Sequence, residues 1–187
     1  MARPFSEEKR RAILESAARI ISEQGLSATT AFIAKEAGIS TGSLFTYFPD
    51  KNSLLNQLYL DIKADVAAAL MHQFPFSASL KDRTYHVWTC YISWAVRHPE
   101  KHSAVQQLHL SKILNAQTRV TAETLFESVY YLLRELSKAK IYGGEGFISA
   151  FMASLSDITV TSILSQPEEL DAYSESGFGL FWRALDV

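Results

Sequence analysis

Between Thr29 and Lys51 the chain reads Thr-Thr-Ala-Phe-Ile-Ala-Lys-Glu-Ala-Gly-Ile-Ser-Thr-Gly-Ser-Leu-Phe-Thr-Tyr-Phe-Pro-Asp-Lys. Its polar groups are mostly hydroxyls, with one phenol, two lysines and two carboxylates, and no catalytic nucleophile–base pattern. That set suits recognition better than bond-making. Thr41, Ser43 and Thr46 can donate or accept at base edges, with less discrimination than a bidentate Arg. Gly42 permits a helix to approach a groove closely. Tyr47 and Lys51 suit phosphate oxygens, and Thr30 and Lys35 are further candidates for the same work.

These residues need two short helices to carry them. Thr29 can cap the first, running from about Thr30 to Ala37, with Ile33 and Ala34 on its apolar face. Gly38 suits the left-handed position that ends such a helix. Ser40 can cap the second, on which Leu44 and Phe48 share a face. Pro49 stops it, and Asp50 can cap the next helix. Ile33, Leu44 and Phe48 are core positions. Two helices joined by so tight a turn fit helix-turn-helix, with Thr41 to Tyr47 facing a major groove, although a helical hairpin with a Gly turn and no ligand has the same periodicity.

A helical pair this short cannot bury its own core. Ser6 opens a helix predicted to run to about Gln24, with Ile13, Leu14, Ala17, Ala18, Ile20 and Ile21 on its apolar side and Gly25 at its end; residues 1–5 read as an arm. From Asp50 to about Met71, Leu54, Leu55, Leu58, Ile62, Val66 and Leu70 recur at helical spacing and link the helical pair to the rest of the chain. Further helices are expected over Leu80–His98, from Pro99 onward, over Ala116–Lys138, and over Phe147–Leu164 and Pro167–Ala184. Ile141 to Gly146 reads as a break. The last two helices are apolar over more than one side. Phe151, Leu155, Ile158, Phe178, Phe181 and Trp182 could pair with their copies in a four-helix dimer interface. Tyr59, Trp88, Phe126, Tyr130 and Phe151 could enclose an apolar ligand, with Glu145 to attract a cation, although aromatics at helical spacing are more often plain core.

Composition narrows the function classes. The net charge of the 187 residues is -2, with seven basic and six acidic side chains in residues 1–51, so any basic footprint is small and local. A lone cysteine, Cys90, excludes an intrachain disulfide and a cysteine-based zinc site, and fits a reducing compartment. The start carries no apolar signal run, and no run of 18 apolar residues occurs, so a cytoplasmic protein with no membrane partner is expected. The order His98-Pro99-Glu100-Lys101-His102 is wrong for a zinc-protease helix. Gly143-Gly144-Glu145-Gly146 lacks the Lys and the strand of a nucleotide loop. No metal, cofactor or catalysis is expected.

The run of paired Thr, Ile33-Ala34, Ala37-Gly38-Ile39-Ser40, Gly42 and an aromatic end closed by Lys51 resembles the signature of TetR-type transcriptional regulators. That resemblance implies an all-α fold: a three-helix DNA-binding head (1–50) and a tetracycline-repressor-like ligand-binding and dimerisation body (51–187). It also implies a homodimer on double-stranded operator DNA, released by a small molecule. The chain departs from the family pattern at Phe45, where Tyr is usual; without that hydroxyl, a packing role is expected first. Phe32 replaces a charged residue frequent in the first helix of the pair.

Leu58-Tyr59-Leu60, Tyr91-Ile92-Ser93-Trp94, His98-Pro99, Gly177-Phe178 and Trp182-Arg183-Ala184-Leu185 further resemble efflux-controlling members that respond to bulky aromatic or amphipathic compounds. Carried over residue by residue, Tyr59, Thr84, Leu133, Glu145 and Ile148 fall at pocket positions, with Phe147 beside Ile148. The leading expectation is thus a ligand-responsive repressor. An activator of the same family, a dimeric helical protein that has lost DNA binding, and a helical enzyme are the alternatives.

Overall fold

A computed structural model describes residues 6–137 and 144–185. The sequence expectations for the arm at residues 1–5, for residue 138 at the end of the helix expected from Ala116, and for residues 141–143 of the break lie outside the described residues. Among these, ten α-helices and one 3-10 turn occur and no strand does. The helices are α1 (Glu7–Gln24), α2 (Thr30–Glu36), α3 (Thr41–Tyr47), α4 (Lys51–Met71), α5 (Leu80–Arg97), α6 (Pro99–Leu110), α7 (Ala116–Thr124), α8 (Glu127–Leu136), α9 (Gly144–Ser165) and α10 (Leu170–Ala184), with the 3-10 turn Pro167–Glu169 leading into α10. The fold is all-α, an N-terminal helical head followed by a helical body.

Packing divides the chain into two compact units, Met1–Ala64 with His98–Glu123, and Asp65–Arg97 with Thr124–Val187. In the first, α1 packs on α2 and α6, and α2 packs on α3. Every apolar position expected on α1 is buried: Ile13, Leu14, Ala17, Ala18, Ile20 and Ile21. Gln107 of α6 donates from Nε2 to the Ile21 carbonyl at 3.0 Å and so satisfies an acceptor in the last turn of α1. Asn56 is a polar residue inside the apolar run of α4, only 7% exposed. Its amide donates to the Asn52 and Ile113 carbonyls and its oxygen accepts the Asn115 N–H, so burial leaves it satisfied and fixes the α6–α7 loop onto α4.

In the second unit α5, α8, α9 and α10 pack on one another. Trp88 is fully buried and donates from its indole nitrogen to the Ser174 carbonyl at 3.0 Å. Phe181 stacks on it at 6.4 Å, and Phe178 lies 6.2 Å away. Gly177 makes this contact possible: a Cβ there would lie 2.5 Å from Thr159 Oγ1 and 2.7 Å from Trp88 Cζ2. By length and composition α9 could cross a membrane. Its Ile148, Met152, Ser156, Val160 and Ile163 are buried within the unit, while Phe147, Ile158 and Leu164 are exposed.

Two expectations need correction. The single helix expected over Ala116–Lys138 is broken at Leu125-Phe126, where Phe126 leaves helical geometry (φ -108°, ψ 16°). No Gly or Pro marks the break. It lies where the chain leaves the first compact unit for the second, so α7 and α8 serve different cores. The second correction concerns Gly144, Glu145 and Gly146, which belong to the first turn of α9 and not to a break. Gly144 has φ +63°, the left-handed geometry that glycine adopts without strain, and Glu145 complements the positive helix start.

Candidate nucleic-acid interface

The site begins with caps. Thr29 Oγ1 accepts the Phe32 N–H at 3.2 Å and opens α2. The helix closes in a doubly bonded turn: Gly38 N–H donates to the Lys35 carbonyl at 3.1 Å, and Ile39 N–H to the Ala34 carbonyl at 3.0 Å. Gly38 holds φ +67° there, a conformation that costs a side chain about 1–2 kcal/mol. Ser40 Oγ then accepts the Ser43 N–H at 3.1 Å and opens α3. Asp50 Oδ1 accepts the Ser53 N–H at 2.7 Å and opens α4; that bond holds the Asp50 carboxyl below the usual carboxylate range. Three consecutive caps fix where α2, α3 and α4 start.

Packing then decides which side of α3 is free. Leu44 is fully buried, as are Ile33 and Ala34 of α2, and Phe48 is 4% exposed. Burying each large apolar side chain contributes about 1.5–3 kcal/mol, so the inner face of α3 is specified by Leu44 and Phe48. Gly42, Ser43 and Thr46 are left exposed, and Thr41 and Tyr47 half-buried. Lys35 is exposed on α2 and Thr30 half-buried at its start.

The polar groups of α3 are not equally available. Thr46 Oγ1 donates to the Gly42 carbonyl of its own helix at 3.3 Å. The Ser40 and Ser43 hydroxyls lie 3.0 Å apart and bond to each other. Thr41 makes no side-chain hydrogen bond among the described residues. Tyr47 Oη accepts the backbone N–H of Ser6 at 3.2 Å, joining the end of α3 to the start of α1. Lys51 Nζ donates to the Leu26 carbonyl at 2.7 Å, joining the start of α4 to the α1–α2 connection. Both side chains expected at phosphates are therefore also braces of the head. Neither brace is legible locally, since each spans a large stretch of chain. Arg19 and Glu36 add a third tie, between α1 and α2, at 2.7 Å.

Phe45 is the correction in this site. Its ring is 43% exposed, not packed in the core. Phe45 follows Leu44 by one residue, about 100° around the seven-residue helix, and so falls outside the side that Leu44 buries.

The expected ligand positions are divided between the two units. Thr84, Trp88, Leu133 and Ile148 are buried in the second unit, Phe126 is 9% exposed and Tyr130 and Phe151 are half-buried. Thr84 Oγ1 is turned to the Leu80 carbonyl at 2.7 Å. Glu145 is held by the Arg134 guanidinium at 2.9 Å. Phe147 is 55% exposed and stacks on Phe151 at 6.5 Å. Tyr59 belongs to the first unit, buried, its hydroxyl 3.1 Å from His109 Nδ1.

Of the expected dimer positions, Phe178 and Phe181 are buried within the unit and back the surface from behind. Leu155 and Trp182 are half-buried, and Ile158 is 62% exposed. Leu164 and Leu180 add to the apolar surface of α9 and α10. Among the described residues no cluster of His, Cys, Asp or Glu is arranged to hold a metal.

Comparison with known proteins places this geometry. Residues 13–58 match the model of the bacterial regulatory proteins of the tetR family. The chain is 38% identical over 66 residues to the HTH-type transcriptional regulator BetI of Escherichia coli O139:H28, a match spanning 35% of this chain and only 34% of BetI. A TetR-family transcription regulator from Shewanella sp. PV-4 superposes with a TM-score of 0.83 at 28% identity, over 94% of this chain and 97% of that one. Another, from Marinobacter aquaeolei VT8, gives a TM-score of 0.85 at 21% identity over 95% of each chain.

Proposed function

We propose that this chain is a TetR-family transcriptional regulator and, more finely, a ligand-responsive repressor acting as a homodimer in the cytoplasm. Residues 1–50 form the DNA-binding head, and residues 51–187 the ligand-binding and dimerisation body. Each protomer places α3 in the major groove of one half of a pseudo-palindromic operator. Thr41, Gly42, Ser43 and Thr46 approach base edges, while Tyr47 and Lys51, with Thr30 and Lys35, anchor phosphates. The observation that carries this reading is the capped α2–α3 pair, which buries Leu44 and Phe48 and turns the small hydroxylated residues outward.

The apolar surface of Ile158, Leu164 and Leu180 on α9 and α10 supports a second copy as the partner. The aromatic interior around Thr84, Trp88, Phe126, Tyr130, Leu133, Ile148 and Phe151 supports a bulky aromatic or amphipathic effector. Control of efflux or detoxification genes, as by the multidrug-responsive repressor RamR, is the finer reading. The effector acts by favouring one of two head separations, so its effect on DNA affinity equals its differential affinity for those two states.

Footprinting the purified protein over its own upstream region tests the proposal. A protected two-fold symmetric site, lost on adding an aromatic cation, is expected. No protection at low salt, with or without such a compound, would refute it. Thr41→Ala should reorder affinities among operator variants more than it changes their salt dependence.

A further inference from the structure

We propose that Phe45 is a specificity residue that reads a thymine methyl group in each half-site. The inference rests on the DNA-reading role of α3 and adds to it a residue and a base. Phe45 is 43% exposed on a helix whose other large apolar side chain, Leu44, is fully buried. It lies four residues after Thr41 and three after Gly42, so the three share the outward side of the helix. Gly42 carries no side chain and Thr41 a short one, so the phenyl ring is the largest group α3 presents there.

The polar neighbours sharpen this. The Thr46 proton is donated to the Gly42 carbonyl, and the Ser40 and Ser43 hydroxyls bond each other. The helix thus uses part of its own hydrogen-bonding capacity internally, and Phe45 adds an exposed apolar ring beside Thr41 and Gly42. A phenyl ring has no donor or acceptor, so phosphate oxygens and most base edges offer it nothing. In the major groove the thymine C5-methyl is the apolar feature that distinguishes one base from the others. Seating an exposed ring against that methyl removes apolar surface of both from water.

The test removes only the methyl. An operator duplex is first selected with the full-length protein, and each thymine is replaced singly by deoxyuridine. With the natural protein, one thymine per half-site should show about a fourfold loss of affinity, the value of one buried methyl-sized group. In Phe45→Ala that loss should vanish, with overall binding weaker and circular dichroism unchanged. In Tyr47→Phe it should persist although binding is weaker throughout. Indifference of the natural protein to every replacement, half-sites that lack thymine, or undiminished sensitivity in Phe45→Ala would each overturn the assignment. Failure to select any operator is a separate result: it removes the DNA-binding reading itself.

Discussion

The phenol of Tyr47 accepts the backbone N–H of Ser6 at 3.2 Å, closing the C-terminal end of α3 onto the N-cap of α1. The residue proposed as a phosphate anchor is thus also a brace of the head.

Tyr47→Phe removes the bond from Ser6 and with it the proposed phosphate contact. Affinity should fall about 3- to 10-fold, the value of a net hydrogen bond, and equally for all operator variants. Titration of a panel of variant duplexes checks this; a changed ranking would show that Tyr47 contacts bases.

Lys51→Met separates two roles of one ammonium group. Loss of its bond to the Leu26 carbonyl should lower unfolding stability by about 1–3 kcal/mol. If Lys51 also meets phosphate, the slope of log affinity against log salt should drop by about one. Urea unfolding and a salt titration read the two effects independently; lower stability with an unchanged slope would leave Lys51 as a brace alone.

The caps and faces of the head are legible in the sequence because they are local. Thr29, Ser40 and Asp50 accept the bonds their spacing implies, and α1 buries the six residues its periodicity names. The break at Phe126 is not legible, because it depends on which core each half of the segment joins. The braces of Tyr47 and Lys51 bridge 41 and 25 residues and leave no local mark. Phe45 misleads for a related reason. The packing role rests on a missing tyrosine hydroxyl, and the loss of a hydroxyl does not say on which side of the helix the ring lies.

Gly177→Ala should destabilise the second unit by about 1–3 kcal/mol, since a methyl there meets Trp88 and Thr159 at distances that neither can tolerate without moving. Thermal unfolding followed by tryptophan fluorescence checks it. A neutral result would mean that α10 can shift away from α5 at little cost.

Lys63 supplies a pH dependence. Burial lowers its pKa from 10.5 to about 8. The unfolded chain therefore binds more protons between about pH 8 and 10.5, and stability should rise with pH across that window, by on the order of 1–3 kcal/mol. Below pH 8 both states are protonated and the cost of the buried charge is present in full. The difference in urea midpoint between Lys63→Met and the natural protein should shrink from pH 7.5 to pH 10; a constant difference would contradict the assignment.

Sequence-specific DNA binding by a two-fold symmetric dimer is the claim on which the rest depends. Selection from a random double-stranded library with the purified full-length chain measures it directly. A consensus of two inverted half-sites, with centres one helical turn or a multiple of it apart and two protomers bound or a multiple of two, is the result expected. No enriched sequence, or an asymmetric one bound by a single protomer, would contradict the account.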